Sequence, residues 1–273
     1  MRPAATQTKS LSSEINAEAA YLCLQGVSKV YATHDGPVRA LEQVSVGARR
    51  GEFLSVLGPS GCGKSTLLMI AAGLLRPSNG AVSIDGAVVT RPRTDIGIVF
   101  QSPVLLEWRT ALGNVMLQAE AKKLERTAAE RRARDLLASV GLAGFEDKYP
   151  HELSGGMRQR VSLCRALIHT PHQLMMDEPF GALDALTREA MNVELQRIWL
   201  ERRKTVLFVT HSTTEAVFLA DRVLVMTPRP GRIGDLLTID FPRPRSLDVM
   251  TTEAFGAHVR RIRTALNAGG GIE

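Results

Sequence analysis

The segment that most constrains this chain is residues 58–66, which read Gly-Pro-Ser-Gly-Cys-Gly-Lys-Ser-Thr. The segment matches the spacing G-x-x-x-x-G-K-[ST], follows the apolar run Phe53–Leu57, and opens a stretch with helical periodicity. Glycines let the backbone curl so that successive N–H groups point inward, and the N-terminus of the following helix adds partial positive charge. The segment therefore predicts a phosphate-binding loop between a buried strand and a helix.

The side chains of this loop predict nucleotide and metal contacts. Lys64 is placed to reach the outer phosphates as a point charge, Ser65 to ligate Mg²⁺, and Thr66 to contact the innermost phosphate. The other candidate binding residues of the loop are Gly58, Pro59, Ser60, Gly61, Cys62 and Gly63. Cys62 has a second interpretation, because the helix N-terminus and Lys64 would lower the pKa of its thiol and make it reactive. We favour a small residue that the loop tolerates.

A second element is an apolar run that ends in two acids, since residues 174–179 read Leu-Met-Met-Asp-Glu-Pro. This run resembles a Walker B segment. The resemblance implies that Asp177 at the strand tip holds Mg²⁺ through water and that Glu178 acts as general base toward an attacking water. Taken alone, the pair also fits two solvated acids in a turn. Its distance along the chain from the phosphate loop favours the functional interpretation.

The element between them is more specific. Residues 153–160 read Leu-Ser-Gly-Gly-Met-Arg-Gln-Arg, a turn of small residues that opens a helix just before the acidic strand. This string resembles the signature of ABC ATPases, which is LSGGQ in its commonest form, and Met157 departs from it. The resemblance implies that two subunits pack head to tail. Ser154, Gly155 and Gly156 of one subunit would then contact the γ-phosphate held by the other.

The resemblance extends over about residues 21–240 and assigns the remaining positions. It implies that Tyr31 stacks on adenine, that Gln101 contacts Mg²⁺ and the attacking water, that Asp184 touches the opposite subunit, and that His211 hydrogen-bonds the γ-phosphate. Ser212 stands where an acid is more usual. The resulting candidates are Glu178, His211, Gln101 and Lys64 for catalysis and Ser65, Gln101 and Asp177 for the metal, with ATP and Mg²⁺ as cofactors.

The same resemblance implies an α/β fold: a RecA-like P-loop NTPase core with an antiparallel β subdomain and a helical insert. The patterning agrees, because a hairpin is predicted around Asp85-Gly86 and a helix over about residues 128–140, within a stretch that has no clear strand. We divide the chain into a flexible tail over residues 1–20, an ATPase domain over 21–240 with the insert at about 101–165, and a C-terminal extension over 241–273 that ends in a helix.

Composition excludes several other classes of protein. The 273 residues are 44% hydrophobic, yet no stretch approaches the roughly 18 apolar residues of a membrane span. The polar N-terminus predicts no secretory signal, and three distant cysteines predict neither a disulfide framework nor a zinc site. The net charge of +6 raises the question of nucleic acid. Acids and bases alternate over residues 125–135 without aromatic side chains to stack bases, so we expect no nucleic-acid partner.

Two further strings bear on the kind of ABC protein. Residues 102–110 read Ser-Pro-Val-Leu-Leu-Glu-Trp-Arg-Thr, and residues 227–233 read Thr-Pro-Arg-Pro-Gly-Arg-Ile. Together they resemble the nitrate/sulfonate/taurine importer ATPases, although Glu107 stands where proline is frequent. Leu105, Leu106 and Trp108 are expected either to receive a permease helix or to pack the insert against the core.

That resemblance implies the partners and the location. The expected complex is a homodimer of ATPase subunits under integral membrane permease subunits, served by a periplasmic solute-binding protein, at the cytoplasmic face of the bacterial inner membrane. Two alternatives remain: the ATPase subunit of an ABC exporter, and a soluble ABC ATPase that acts on ribosomes or DNA. Proteins of the latter class usually carry two cassettes or a long coiled coil. The transported solute is not encoded here, because solute contacts lie in other chains.

Overall fold

Two β-sheets and seven α-helices form the structure, a computed structural model that describes residues 20–268. The predicted tail over residues 1–20 lies, except for Ala20, outside this range. The strands are β1 Leu22–Thr33, β2 Gly36–Ala48, β3 Phe53–Leu57, β4 Asn79–Ile84, β5 Ala87–Val88, β6 Ile96–Val99, β7 Gln173–Asp177, β8 Thr205–Val209, β9 Arg222–Met226 and β10 Ile233–Thr238. The helices are α1 Lys64–Ala71, α2 Ala111–Ala121, α3 Arg126–Ser139, α4 Gly155–Leu167, α5 Ala185–Arg202, α6 Thr213–Leu219 and α7 Glu253–Ala268. Within this part of the chain, no helix has the length and apolar character needed to cross a bilayer.

The central sheet is six-stranded, in the order β10-β9-β3-β8-β7-β6. Its strands run parallel except for β10, which pairs antiparallel with β9. Alternate residues serve two different cores: Met176 and Phe208 face the helices that pack on one side, whereas Met175 and Leu207 face α1 and the smaller sheet. Both faces are therefore covered, which explains why these strands read as continuous apolar runs rather than alternating ones.

The smaller sheet is antiparallel, with the order β2-β1-β4-β5. Its last pair is the predicted hairpin, in which Ile84 pairs with Ala87 across the dipeptide Asp85-Gly86. Both turn residues have positive φ, 52° for Asp85 and 75° for Gly86. A tight hairpin turn requires this backbone conformation, and an aspartate–glycine pair adopts it readily, so the prediction of a hairpin is confirmed.

Between β6 and β7 the chain forms only helices. Thr110 caps α2 by accepting a hydrogen bond from the backbone N–H of Gly113 at 3.1 Å, and Glu125 caps α3 in the same way. The predicted helix near residues 128–140 is α3. Small and apolar side chains such as Ala133 and Leu137 are fully buried in the same core that covers the central sheet. Helices α2 and α3 therefore pack against α4, the helix that begins at residue 155, and hold it in place.

The segment after β10 packs into the core in a way that its sequence does not reveal. Arg245 is 3% exposed, and its guanidinium donates to the carbonyl oxygens of Val217, Phe218 and Ala220 at 2.8–2.9 Å. These carbonyls belong to the C-terminal end of α6, where a cation is favoured by the helix dipole. Burial lowers the pKa of Arg245 to about 10. Arg245 therefore caps the helix that follows residue 211.

Candidate functional site

The predicted phosphate loop lies between the end of β3 and the first turn of α1. Gly63 has φ 103°, and a Cβ there would lie 2.7 Å from the side chain of Leu41, so only glycine fits this position. The Nζ of Lys64 donates to the carbonyl oxygens of Gly58 at 2.8 Å and Pro59 at 3.0 Å. The loop thus curls around the ammonium group.

An open cavity of about 620 Å³ lies against the loop, within the usual size range of small-molecule sites. It is lined by the loop residues Ser60, Gly61, Gly63, Lys64, Ser65 and Thr66, and by Tyr31, Ala32, Thr33, Val38, Ala40, Gln101, Glu178 and Arg229. Most of the predicted phosphate-loop residues are therefore brought together with Tyr31, Gln101 and Glu178. Gly58, Pro59 and Cys62 belong to the same loop but are not in this lining.

Cys62 corrects one expectation. Its side chain is fully buried, and a Cβ built on Gly58 would lie 2.7 Å from its Sγ. Burial raises the pKa of the thiol, and the charge of nearby Lys64 opposes this only in part. The second interpretation of Cys62, a thiol with a lowered pKa, is wrong because desolvation outweighs the favourable charge. Cys62 fills space under the loop.

Tyr31 stands at the mouth of the cavity, on β1. Its hydroxyl lies 3.2 Å from the Oγ1 of Thr66, the last residue of the loop, and its side chain is partly exposed. The Nζ of Lys29 lies 5.3 Å from the ring centroid. A ring held in this way beside a phosphate loop can present a face to a flat base.

Asp177 is the last residue of β7 and is 6% exposed. Among the described residues, its Oδ1 has no hydrogen-bond partner although it is buried. Burial raises the pKa of this carboxyl, and the hydroxyl of Ser65 opposes the rise. A buried, unpartnered carboxylate oxygen beside a hydroxyl suits Mg²⁺, which takes hard oxygen ligands and fills its other positions with phosphate and water. The predicted metal residues Ser65 and Asp177 thus fit the ion.

Glu178 follows with φ 45°, a backbone conformation that is strained for a residue with a side chain. Its backbone N–H donates to the carbonyl of Val209 at 2.9 Å, which holds it at the edge of the sheet. The Nε2 of Gln101 donates to the Oε2 of Glu178 at 3.2 Å, and the Nδ1 of His211 lies 3.3 Å from the same oxygen. Three predicted catalytic residues therefore meet at one carboxylate oxygen beside the cavity.

His211 is positioned by its neighbours. The hydroxyl of Thr210 donates to the Oε2 of Glu215 at 2.6 Å and accepts from the backbone N–H of Ser212 at 3.0 Å. Glu215 is 5% exposed, and burial raises the pKa of its carboxyl. Ser212 caps α6 by accepting from the N–H of Glu215 at 3.3 Å. Serine thus performs the capping for which acidic residues are also suited.

The residues expected to act on a second subunit lie elsewhere. Ser154 is exposed and caps α4, its Oγ accepting from the N–H of Met157 at 3.2 Å. Asp184 is exposed and caps α5, accepting from the N–H of Thr187 at 3.0 Å. The described residues that line the cavity do not include Ser154, Gly155, Gly156 or Asp184. One chain therefore does not bring them to its own phosphate loop.

Arg229 is the lining residue that sequence reasoning missed. It lies in the turn between β9 and β10, and its guanidinium reaches the loop at Gly61. In the sequence, the string at residues 227–233 indicates only a resemblance to the nitrate/sulfonate/taurine importer ATPases. Its cation, placed just after the end of a central parallel strand, was the signal that could have identified it.

Comparison with known proteins is consistent with this geometry. The model of the family described as ABC transporter matches residues 41–181. The bicarbonate transport ATP-binding protein CmpD of Synechocystis sp. is 49% identical over 232 residues, which cover 84% of this chain and 82% of that protein. The taurine import ATP-binding protein TauB of Burkholderia thailandensis is 50% identical over 224 residues, covering 82% of this chain and 86% of that protein.

A solved structure shows the same fold. It is described as the dimeric structure of a post-hydrolysis state of the ATP-binding cassette MJ0796 bound to ADP and Pi. Its TM-score is 0.74 at 32% identity, and the match covers 81% of this chain and 100% of that chain. The predicted fold class, a P-loop NTPase core with an antiparallel β subdomain and a helical insert, is confirmed. The chain belongs to the ABC transporter family, in which it is an ATP-binding and ATP-hydrolysing subunit.

Proposed function

We propose that this subunit energises an importer for nitrate, a sulfonate such as taurine, or a related small solute. The single observation that carries the hydrolytic part of this proposal is the convergence of Gln101 and His211 on the Oε2 of Glu178 beside the phosphate loop. The importer part rests on the relatives, which are described as bicarbonate and taurine transport ATP-binding proteins.

ATP occupies the lined cavity in this proposal. Tyr31 offers its ring to the adenine. The backbone N–H groups of the loop and the side chains of Ser60, Lys64, Ser65 and Thr66 face the phosphates. Lys64 exchanges the carbonyls of Gly58 and Pro59 for phosphate oxygens, which are stronger partners for an ammonium group. Ser65, Asp177 and Gln101 would hold Mg²⁺, which offsets phosphate charge when bound.

Glu178 acts as the general base. Its Oε2 is engaged by Gln101 and His211, and within the described part of the chain no hydrogen bond engages Oε1. We assign Oε1 the proton of the attacking water, a step that contributes roughly 10²–10⁴ in rate. Gln101 and His211 orient the carboxylate, and His211 also faces the γ-phosphate. The strained backbone of Glu178 is consistent with a residue held for chemistry.

Two subunits complete each site. Ser154, Gly155 and Gly156 of one subunit contact the γ-phosphate bound by the other, and Asp184 touches the opposite subunit. The exposure of Ser154 and Asp184, both outside the cavity of their own chain, supports this arrangement. The related cassette is described as dimeric. A near-complete switch to the closed dimer requires that ATP favour it by about 5.5 kcal/mol.

The helical insert connects this cycle to a permease. We propose that the ATPase domain spans residues 21–240 with the insert at about 101–165, and that residues 241–273 form an extension. The subunit sits at the cytoplasmic face of the bacterial inner membrane, bound to permease subunits. A periplasmic solute-binding protein delivers the solute to these permease subunits. Trp108, whose side chain is 75% exposed just after Gln101, supports a contact on this side of the insert.

Vesicle transport tests the whole proposal. The genes beside this one are first identified, and the tagged chain is co-expressed with any permease and solute-binding protein that they encode. The complex is then purified and reconstituted. We expect ATP on the cytoplasmic side to drive uptake of nitrate, taurine or bicarbonate, and a Lys64→Ala complex to fail. Movement in the opposite direction would identify an exporter, and the absence of any co-purifying permease would identify an ABC ATPase outside transport.

A further inference from the structure

The turn between β9 and β10 lies directly outside the phosphate loop. Gly231 bonds to β2 in both directions: its N–H donates to Ala40 at 2.9 Å, and its carbonyl accepts from the N–H of Glu42 at 3.0 Å. A Cβ on Gly231 would lie 2.0 Å from the carbonyl oxygen of Cys62, so glycine is required for this approach. Arg232 adds an ion pair to Glu42. The turn is therefore held firmly against the loop.

Arg229 reaches from this turn into the cavity. Its Nε and Nη2 both donate to the carbonyl oxygen of Gly61, at 3.2 and 3.1 Å. A guanidinium carries more N–H donors than these two, so further donors remain for a ligand. Across residues 20–268, no carboxylate forms an ion pair with Arg229, whereas Arg232 in the same turn is paired with Glu42. The charge of Arg229 is thus uncompensated at an exposed position that lines the cavity.

The charged side chains that line the cavity indicate what kind of ligand Arg229 binds. Among the described lining residues, the cations are Lys64 and Arg229, and the acid is Glu178. Lys64 lies inside the curl of the loop, whereas Arg229 approaches from outside at Gly61. An arginine fork binds phosphate and carboxylate groups through several charge-assisted hydrogen bonds at once. In this cavity the phosphate loop favours a phosphate as the anion. A nucleotide polyphosphate in the cavity would meet both cations.

We propose that Arg229 is a further nucleotide ligand: anchored on Gly61, it binds phosphate oxygens of a nucleoside di- or triphosphate with its remaining N–H groups. The inference rests on the proposed function, in which this cavity takes ATP. It assigns the β9–β10 turn to the nucleotide site, and it gives the loop a second cation that the sequence motif does not contain.

The test compares Arg229→Ala, Arg229→Lys and Arg232→Ala with the unmodified chain. ATP and ADP affinities are measured by titration, and KM and kcat are measured for ATP hydrolysis. We expect Arg229→Ala to weaken both nucleotides by roughly tenfold to a hundredfold, the range for loss of a charged hydrogen bond. KM should rise by a similar factor with kcat little changed, because the contact is present in the ground state and the transition state alike. Arg229→Lys should retain part of the affinity.

The control removes an equal charge from the same turn. Arg232→Ala should leave nucleotide affinity near that of the unmodified chain, because Arg232 pairs with Glu42 and the backbone hydrogen bonds of Gly231 still hold the turn in place. Unchanged affinity in Arg229→Ala, while the unmodified chain binds ATP, would overturn this inference and leave the proposed function standing. A fall in kcat with a lower melting temperature of the nucleotide-free chain would make Arg229 a brace for the loop and also overturn it. Failure of the unmodified chain to bind ATP would instead remove the proposed function.

Discussion

The Nδ1 of His211 lies 3.3 Å from the Oε2 of Glu178, although the two residues follow different strands. Gln101 joins the same oxygen at 3.2 Å. The sheet order explains the meeting, because β6, β7 and β8 are adjacent and parallel, so their carboxyl ends share one edge. A residue placed just after each strand is therefore delivered to one point.

Removal of the proposed base should separate binding from turnover. Glu178→Gln keeps the size of the side chain and the phosphate loop, but it cannot accept a proton from water. We expect ATP binding to persist, turnover to fall by roughly 10²–10⁴, and an ATP-bound dimer to accumulate. Hydrolysis assays and size-exclusion chromatography with ATP and Mg²⁺ measure these effects. Hydrolysis at the unmodified rate would take Glu178 out of its proposed role.

Lys64→Ala should weaken nucleotide binding itself. The variant removes the ammonium group that the loop encloses at Gly58 and Pro59, and with it the charge that faces the phosphates. Calorimetric titration should show a large loss of ATP affinity. An ATP affinity equal to that of the unmodified chain would contradict the proposed role.

The proposed contact across subunits predicts complementation. Ser154→Arg places a large cation on an exposed turn outside the cavity, so folding and ATP binding in one chain should survive while hydrolysis is blocked. Mixed with Lys64→Ala subunits, it should form heterodimers with one composite site that has both an intact loop and an intact Ser154. Recovery of ATP-dependent closure in the mixture measures this. Mixtures in which no site closes would disprove the contact in trans.

In the loop after Gln101, we expect the exposed side chain to contact the permease and the partly buried side chains to stabilise the fold. Leu105 packs against the core and Leu106 is half-buried, whereas Trp108 is largely exposed. Trp108→Asp should keep the melting temperature and ATPase activity but release the subunit from membranes that contain its permease. Leu105→Asp is the matched control, and it should lower the melting temperature by several degrees because it places a charge against the packed core. Membrane binding that survives Trp108→Asp would disprove docking through this side chain.

Lys204 predicts a pH dependence of stability. It is 4% exposed, and burial together with the charges of Arg132 and Arg202 lowers the pKa of its ammonium group to about 8. Above that pH, and up to the ordinary lysine pKa of about 10.4, the unfolded chain holds a proton that the folded chain has released, so this group makes stability rise with pH. Below about pH 8, the folded chain must bury the charge.

The variant Lys204→Met removes the free-energy cost of burying this charge in the folded chain. Its melting temperature should exceed that of the unmodified chain at about pH 7, and the gain should shrink toward pH ~10 as lysine becomes neutral in both states. Lys123→Met, at an exposed position, is the control and should show no such trend. A gain that stays constant with pH would assign the effect to packing rather than to charge.

By itself, the sequence determined the features that depend on neighbours along the chain. The loop at residues 58–66, the hairpin at Asp85-Gly86 and the acidic end of β7 were predictable because local spacing governs curl, turn geometry and the end of a strand. The resemblance of the motifs to those of ABC ATPases also predicted that Gln101, Glu178 and His211 belong to one catalytic site. Their roles remain predictions.

Only the tertiary structure decided which groups lose water and which loops touch. The sequence left open a lowered thiol pKa for Cys62 as a second interpretation, but its surroundings come from distant residues such as Met226, which also crowds Gly58. Arginine side chains are mostly exposed in proteins, yet Arg245 caps α6 inside the core. The approach of Arg229 to Gly61 spans 168 positions along the chain. Desolvation and long-range contact are sums over residues that only folding assembles, so local pattern does not encode them.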